Sequence, residues 1–225
     1  MLITGFGPFP RVPRNPSERV ARAVAANPRW RRLGWQIDLR ILDTRYGALE
    51  TQLLPALRET APDAVLLLGV AGTRDAITPE RQARNRVSRL FPDAGGNVGD
   101  TSLRLDRTDP QLIRRTQAPV EAMVRAMRRR GLRSAVSRDA GRYLCNAAYY
   151  CALRARGPDR NPHVVFIHIP FPRDMTQRTR REPGKERRNK RPSHHELIRA
   201  INDCIYLLAA RAYSSKFRAS DYSSK

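Results

Sequence analysis

Residues 64–70 read Ala-Val-Leu-Leu-Leu-Gly-Val, a continuously apolar run set between Pro62-Asp63 and Gly72. Such a run is short for a helix and lacks the alternation of a half-buried strand, so it predicts a strand covered on both faces. Strands of that kind belong in a parallel sheet, and His163-Val164-Val165-Phe166-Ile167-His168-Ile169 repeats the signal nearer the C-terminus. Outward from these two, Leu2–Phe6 reads as a short apolar strand, Trp35–Leu42 as an alternating one, and Ala135–Ser137 as a short candidate. Helices are expected over Pro16–Ala26, Tyr46–Thr60 with an interruption near Pro55, Asp109–Arg130, Cys145–Arg156 and Ser193–Tyr213. The last has a Ser193 cap with Glu196 three residues on. Ile77–Val87 reads as polar and extended, and Pro92–Thr101 as a loop. Strands alternating with helices predict an α/β fold, a single-domain three-layer α/β/α sandwich with a mostly parallel twisted sheet. It is expected to span residues 1–213, with a basic loop at 173–191 and a flexible tail at 214–225.

The length of 225 residues suits one domain with a substantial core. The charge is lopsided, 43 Lys+Arg against 21 Asp+Glu, a formal +22. Of the 43 basic residues only 4 are Lys, and the arginines are dispersed over expected helices, strands and loops rather than gathered on one stripe. Such a skew points to a coding bias towards arginine, which arginine-rich unrelated proteins from the same source would bear out and ordinary ratios there would overturn. The one local concentration is Arg173–Arg191, with nine basic residues against three acidic. No aromatics interleave with it, as stacking on single strands requires, so nucleic acid is an unlikely partner.

Cys145, Cys151 and Cys204 form no Cys-x-x-Cys pair, which argues against a disulfide framework and a structural zinc site. Met1–Gly5 enters a strand pattern with no basic segment and apolar stretch of a signal peptide, and no run approaches the ~20 residues of a membrane span. A cytoplasmic, reducing setting and no membrane contact are the expectation. Gly5-Phe6-Gly7 lacks the later glycine of a dinucleotide loop, no Walker sequence is present, and His194-His195 lack a third ligand.

Ligands of open α/β sheets bind outside the carboxyl ends of the strands, so chemistry is sought there. Cys145 opens a helix-like run, where free N–H groups and the dipole favour a thiolate and can hold an oxyanion. His168 ends the apolar run 163–169, at the same rim. Each residue taken singly reads as an ordinary buried side chain, but a thiol and an imidazole together make a nucleophile and its base. Glu80 follows the buried strand 64–70 and is the candidate to orient the imidazole. Phe6 and Phe9, in a Gly/Pro-constrained loop, are candidate walls of an apolar pocket.

Four segments in order resemble the pyroglutamyl peptidase I family of cysteine peptidases. They are Ile3-Thr4-Gly5-Phe6-Gly7-Pro8-Phe9 with Asn15-Pro16-Ser17, Ile77-Thr78-Pro79-Glu80-Arg81 with Ala83 and Asn85, Asp139 to Asn146, and Phe166-Ile167-His168-Ile169-Pro170. The resemblance implies a cytosolic exopeptidase that removes N-terminal pyroglutamate from peptides, with no metal or cofactor, and often a homotetramer. It implies a triad of Cys145, His168 and Glu80, and a pyrrolidone pocket lined by Phe6 and Phe9 with Thr44, Tyr143 and Leu144 nearby. Asn15 would hold the loop or bond the ring amide, and Arg89 is the candidate side-chain oxyanion donor. The chain departs from the family's pattern at Thr73, in the family's Gly-Gly-Arg, and at Val70, often a Gln. It departs again at Arg86-Val87-Ser88, where the family has an acidic pair. These departures keep two other readings open, a relative with altered specificity and an inactive framework whose basic surface binds an acidic partner.

Overall fold

A computed structural model of the chain describes residues 1–9, 12–88, 92–98, 104–155, 162–175 and 191–222, with side chains to 214. Arg89 and most of the basic segment 173–191 lie outside the described residues. In chain order the elements are β1 (Leu2–Phe6), α1 (Pro16–Ala25), α2 (Arg29–Arg32), β2 (Asp38–Leu42), α3 (Leu54–Thr60), β3 (Ala64–Val70), β4 (Thr78–Pro79), β5 (Gln82–Arg84), β6 (Ile113–Arg115), α4 (Val120–Arg129), α5 (Leu144–Arg154), β7 (His163–Ile169) and α6 (His194–Tyr222). One sheet has the order β2-β1-β3-β7-β4. Its first four strands are parallel and β4 is antiparallel to β7.

Strand alternation assigns the two layers. Leu66, Leu68, Val165, Ile167 and Ile169 pack with Val20 and Val24 of α1, Met123 and Met127 of α4, and Leu197, Ile201 and Ile205 of α6. Their neighbours Val65, Leu67, Val164 and Phe166 face Ala56 and Leu57 of α3 and Ala147, Ala148 and Leu153 of α5. Both faces of β3 and β7 are therefore apolar, which is why these strands read as continuous runs. On β1, a Cβ at Gly5 would lie 2.7 Å from the Ser17 carbonyl oxygen, so only glycine lets α1 pack this closely.

Several expected boundaries move, each for a physical reason. The helix expected over Asp109–Arg130 begins only at Val120, after Pro119. Upstream, the Asp109 carboxylate accepts the Gln111 N–H at 2.9 Å and both Arg114 nitrogens, the Thr116 hydroxyl bonds the Val164 carbonyl, and Ile113–Arg115 pairs with Gln82–Arg84. Tertiary anchors thus override helical propensity. Trp35–Leu42 becomes a strand only from Asp38, because Trp35 stacks on Trp30 at 5.6 Å instead of entering the sheet. Residues 46–60 widen into a π-helical turn at Leu49–Leu53 before α3, whose first turn holds Pro55, a residue with no N–H to donate. Ala135–Ser137 joins no named strand; Ser134 and Ser137 make single parallel bridges to Ile77 and Glu80. The expected tail starts as helix, since α6 runs on to Tyr222 and no Gly or Pro follows Pro192 to stop it.

Candidate active site

The register of β3 and β7 puts Gly69 directly beside His168 at the carboxyl end of the sheet. A Cβ at Gly69 would lie 2.9 Å from the Cys145 Sγ and 2.6 Å from the Phe166 ring. The bare backbone at Gly69 is what lets the start of α5 settle on the sheet next to His168. Chain geometry delivers the sulfur there: Gly141 adopts φ 81°, Tyr143 is extended at the helix cap, and Cys145 follows as the second helical residue. Ala147 and Ala148, both fully buried, keep the helix close to the strands beneath. Asn146 ties the same turn to its neighbours, accepting the Arg84 N–H and donating to the Arg84 and Arg86 carbonyls.

His168 Nδ1 lies 2.8 Å from Glu80 Oε1, and the carboxylate is fully buried. The Glu80 backbone is pinned on two sides, by its N–H to the Phe166 carbonyl at 2.8 Å and by the Tyr149 hydroxyl on its carbonyl at 2.8 Å. One end of that clamp comes from β7 and the other from α5, the elements that carry His168 and Cys145. Arg74 Nη1 donates to the same Glu80 Oε1 at 2.7 Å and to the Thr78 hydroxyl at 2.5 Å. Its Nη2 reaches the Asp139 carbonyl at 2.7 Å, in the turn that leads to Cys145.

Electrostatics follow from this burial. Desolvation pushes the Glu80 carboxyl up, but the hydrogen bond and charge of His168, with the Arg74 bond, outweigh it and hold the group below the ordinary carboxylate range. For His168 burial wins, and the imidazole sits below its ordinary value despite Glu80. The Cys145 thiol is pushed up to about 12, by burial first and Glu80 second, with Arg74 acting the other way. Desolvation therefore opposes the thiolate that a helix start favours. Cys151 and Cys204 are raised by burial as well and, like Cys145, are free.

A cavity of about 420 Å³ opens on Cys145. Phe6, Phe9, Asn15, Thr44, Tyr143 and Leu144, the six pocket residues anticipated from sequence, all line it. Two of them are occupied in holding the loop after β1. Asn15 donates to the Gly7 carbonyl at 2.9 Å while its oxygen accepts from the Ser17 N–H and hydroxyl, and the Thr44 hydroxyl donates to the same Gly7 carbonyl at 3.1 Å. Of the two roles open for Asn15, loop holding is the one its bonds describe. Tyr143 donates its hydroxyl to the Pro92 carbonyl at 3.0 Å, which leaves its ring as a wall.

Val12, Val70, Gly72 and Phe171 complete the lining. Val70 ends β3 and Gly72 follows it, within the strand-end segment 69–74 that the carboxyl-end rule singles out. Val12 and Phe171 were not expected there, although Phe171 follows the end of β7 and the same rule could have found it. Arg74 belongs to the loop after β3. Among the described residues no cluster of His, Cys, Asp or Glu could hold a metal ion.

A doubly covered parallel sheet with a cysteine at a helix start and a carboxylate-held imidazole on the adjacent strand is the framework of a thiol-dependent hydrolase. A family profile for pyroglutamyl peptidase matches residues 1–185. The pyrrolidone-carboxylate peptidase of Levilactobacillus brevis is 37% identical over 183 residues, 80% of this chain and 86% of that protein. That of Streptococcus pneumoniae (strain 70585) is 32% identical over 173 residues, 76% of this chain and 78% of that one. Among solved structures, pyrrolidone carboxyl peptidase from Thermococcus litoralis superposes with a TM-score of 0.80 at 27% identity, covering 95% of this chain and 94% of that one. Bacillus amyloliquefaciens pyroglutamyl peptidase I superposes with a TM-score of 0.78 at 26% identity, covering 94% and 97%. The chain belongs to the pyroglutamyl peptidase family and is a cysteine peptidase of the pyroglutamyl-peptidase I type.

Proposed function

We propose that this chain hydrolyses the bond after an N-terminal pyroglutamyl residue, with Cys145 as nucleophile, His168 as general base and acid, and Glu80 as the group that orients and stabilises the imidazolium. The observation that carries the reading is the 2.8 Å Glu80–His168 contact beside Gly69, over which the Cys145 sulfur sits at the mouth of an apolar cavity. The pyrrolidone ring, which is uncharged, enters between Phe6, Phe9 and Phe171, and water is excluded by the same walls.

The reaction is balanced within the site. His168 Nε2, the nitrogen Glu80 leaves free, takes the thiol proton as Cys145 Sγ bonds to the pyroglutamyl carbonyl carbon. First-turn N–H groups of α5, which have no partner inside the helix, stabilise the resulting oxyanion. The imidazolium gives its proton to the peptide nitrogen as the C–N bond breaks, releasing the shortened peptide and leaving a thioester. Water then attacks that thioester with its proton passing to His168, the C–S bond breaks, and the proton returns to the sulfur. Burial, which holds His168 below its ordinary value, suits this sequence, because it favours the unprotonated form that the base needs.

Release of a fluorophore from a pyroglutamyl conjugate tests the reading. Wild type is expected to release it, and Cys145→Ala to lose about 10³-fold or more of the rate. Equal rates in the two proteins would remove Cys145 as nucleophile. Absence of release from the wild type, with turnover of another blocked peptide, would redirect the specificity. Three free cysteines, Cys145, Cys151 and Cys204, fit a reducing compartment, and the cytoplasm is the one proposed here.

A further inference from the structure

The carboxylate of a nucleophile–histidine–acid triad faces a problem of charge. While His168 is neutral, a fully buried Glu80 has no cation in the triad itself, and an uncompensated buried carboxylate draws a proton onto the Glu80–His168 pair. With that proton already shared by the pair, the imidazole could not accept another from the thiol. Arg74 answers this from outside the triad: its Nη1 lies 2.7 Å from Glu80 Oε1, the oxygen that also faces His168 Nδ1 at 2.8 Å. Its other nitrogen bonds the Asp139 carbonyl, so a single guanidinium joins the loop after β3, the orienting carboxylate and the turn before Cys145.

Resting on the triad reading above, we propose that Arg74 is a positioning residue that keeps Glu80 ionised through the proton cycle and fixes the distance between the Glu80–His168 pair and the Cys145 turn. A guanidinium is a permanent charge in proteins, which a buried lysine or histidine is not. Its fork matters as well, since one arm serves Glu80 and Thr78 and the other the Asp139 carbonyl.

The charge has a second effect. His168 is faced by Glu80 and Asp139, which favour its protonation, and by Arg74, which opposes it; Cys145 is faced by Glu80, by Arg74 and by the phenols of Tyr46 and Tyr143. Glu80 unopposed would draw a proton onto His168 at rest. Arg74 offsets this, so the imidazole stays free to accept the thiol proton. Removing the cation therefore moves both limbs of the pH profile upward, the lower as His168 holds its proton longer and the upper as the thiolate loses a nearby positive charge.

The test is the pH dependence of iodoacetamide alkylation of Cys145, read by mass spectrometry on the full chain, for wild type, Arg74→Met, Arg74→Gln and Arg74→Lys. This readout needs no substrate, so it can fail while pyroglutamyl hydrolysis stands, and the reverse. Arg74→Met and Arg74→Gln are expected to shift the profile up by about one pH unit. Arg74→Lys is expected to hold the profile near wild type but to lose about tenfold in kcat on a pyroglutamyl conjugate, with KM little changed, because one ammonium cannot span both partners. Profiles for Met and Gln that coincide with wild type would overturn the proposal. So would a Lys profile displaced as far as that of Gln, since charge would then not be the cause. If Arg74→Met does not fold, the Gln and Lys pair carries the same comparison.

Discussion

At the scale of single residues, the site is a balance between burial and partners. His168 and Glu80 are withdrawn from water and Cys145 is half-buried, and burial pushes each towards its neutral form. Only for Glu80 do its partners outweigh burial, with two groups converging on one of its oxygens. Glu80→Gln keeps the shape and deletes that charge. The variant is expected to lose about 10²–10⁴-fold in kcat, since the imidazolium formed on attack is no longer stabilised. The sign of its pH effect is also set. Glu80 raises the affinity of His168 for a proton, so its removal lowers the acid limb of kcat/KM, opposite to the upward shift expected for the uncharged Arg74 variants. A pH–rate series on a pyroglutamyl conjugate checks this, and an acid limb that rises would contradict the arrangement. The convergence of Cys145, His168 and Glu80 at one end of the sheet was legible in the sequence, because each combines a reactive side chain with a strand-end or helix-start position. Arg74 was marked only as the last residue of the Gly72-Thr73-Arg74 motif, and its partner Glu80 could not be read from the sequence.

At the scale of elements, the close fit of α5 on β3 and β7 sets where the sulfur lies. That fit depends on an absent side chain at Gly69 and on Ala147 and Ala148 in the helix. Gly69→Ala introduces a methyl 2.6 Å from the Phe166 ring and 2.9 Å from the Cys145 Sγ. Relief requires α5 or Phe166 to shift, so the variant is expected to lose about 1–3 kcal/mol of stability. Its kcat/KM is expected to fall by about 10²-fold, the effect of a small misplacement of reacting atoms. Thermal melting and kinetics check the pair; wild-type values in both would show that the helix start has slack. The element boundaries show what local pattern can and cannot reveal. Ala64–Val70 and His163–Ile169 appear where the apolar runs lie. Asp109–Ala118 departs from helix because distant groups, Tyr150 and the Val164 carbonyl among them, claim its side chains.

At the scale of the whole molecule, the +22 charge is a property of the surface rather than of the site. Among the described residues it is partly paired, as in Arg130–Asp203, Arg154–Asp106 and Arg173–Glu196, and such exposed pairs contribute little individually. Acidification removes partners while the arginines stay charged. Asp109 is the clearest case: burial raises its pKa, but bonds from Tyr150 and Arg114 outweigh it and hold the folded value at about 2, against 3.8 for the free group. A depressed carboxylate stabilises the fold fully above its unfolded value and loses that contribution as pH falls through the folded value. The thermal midpoint is thus expected to fall between about pH 4 and pH 2, and to fall less steeply in Tyr150→Phe, which begins with a weaker hold on Asp109. Parallel curves would show that Asp109 is not a principal acid-labile anchor. The apolar runs, helix starts and four ordered motifs were enough to determine the layered parallel fold and the family, and to single out the side chains proposed to react, because these depend on local periodicity and on residue chemistry. Only the tertiary structure decided that Asn15 is spent on the loop, that Gly69 makes room for the sulfur, that burial pushes the thiol up and that Arg74 sits on Glu80. Those features arise from distances between segments far apart in the chain and from exclusion of water, neither of which a linear pattern encodes.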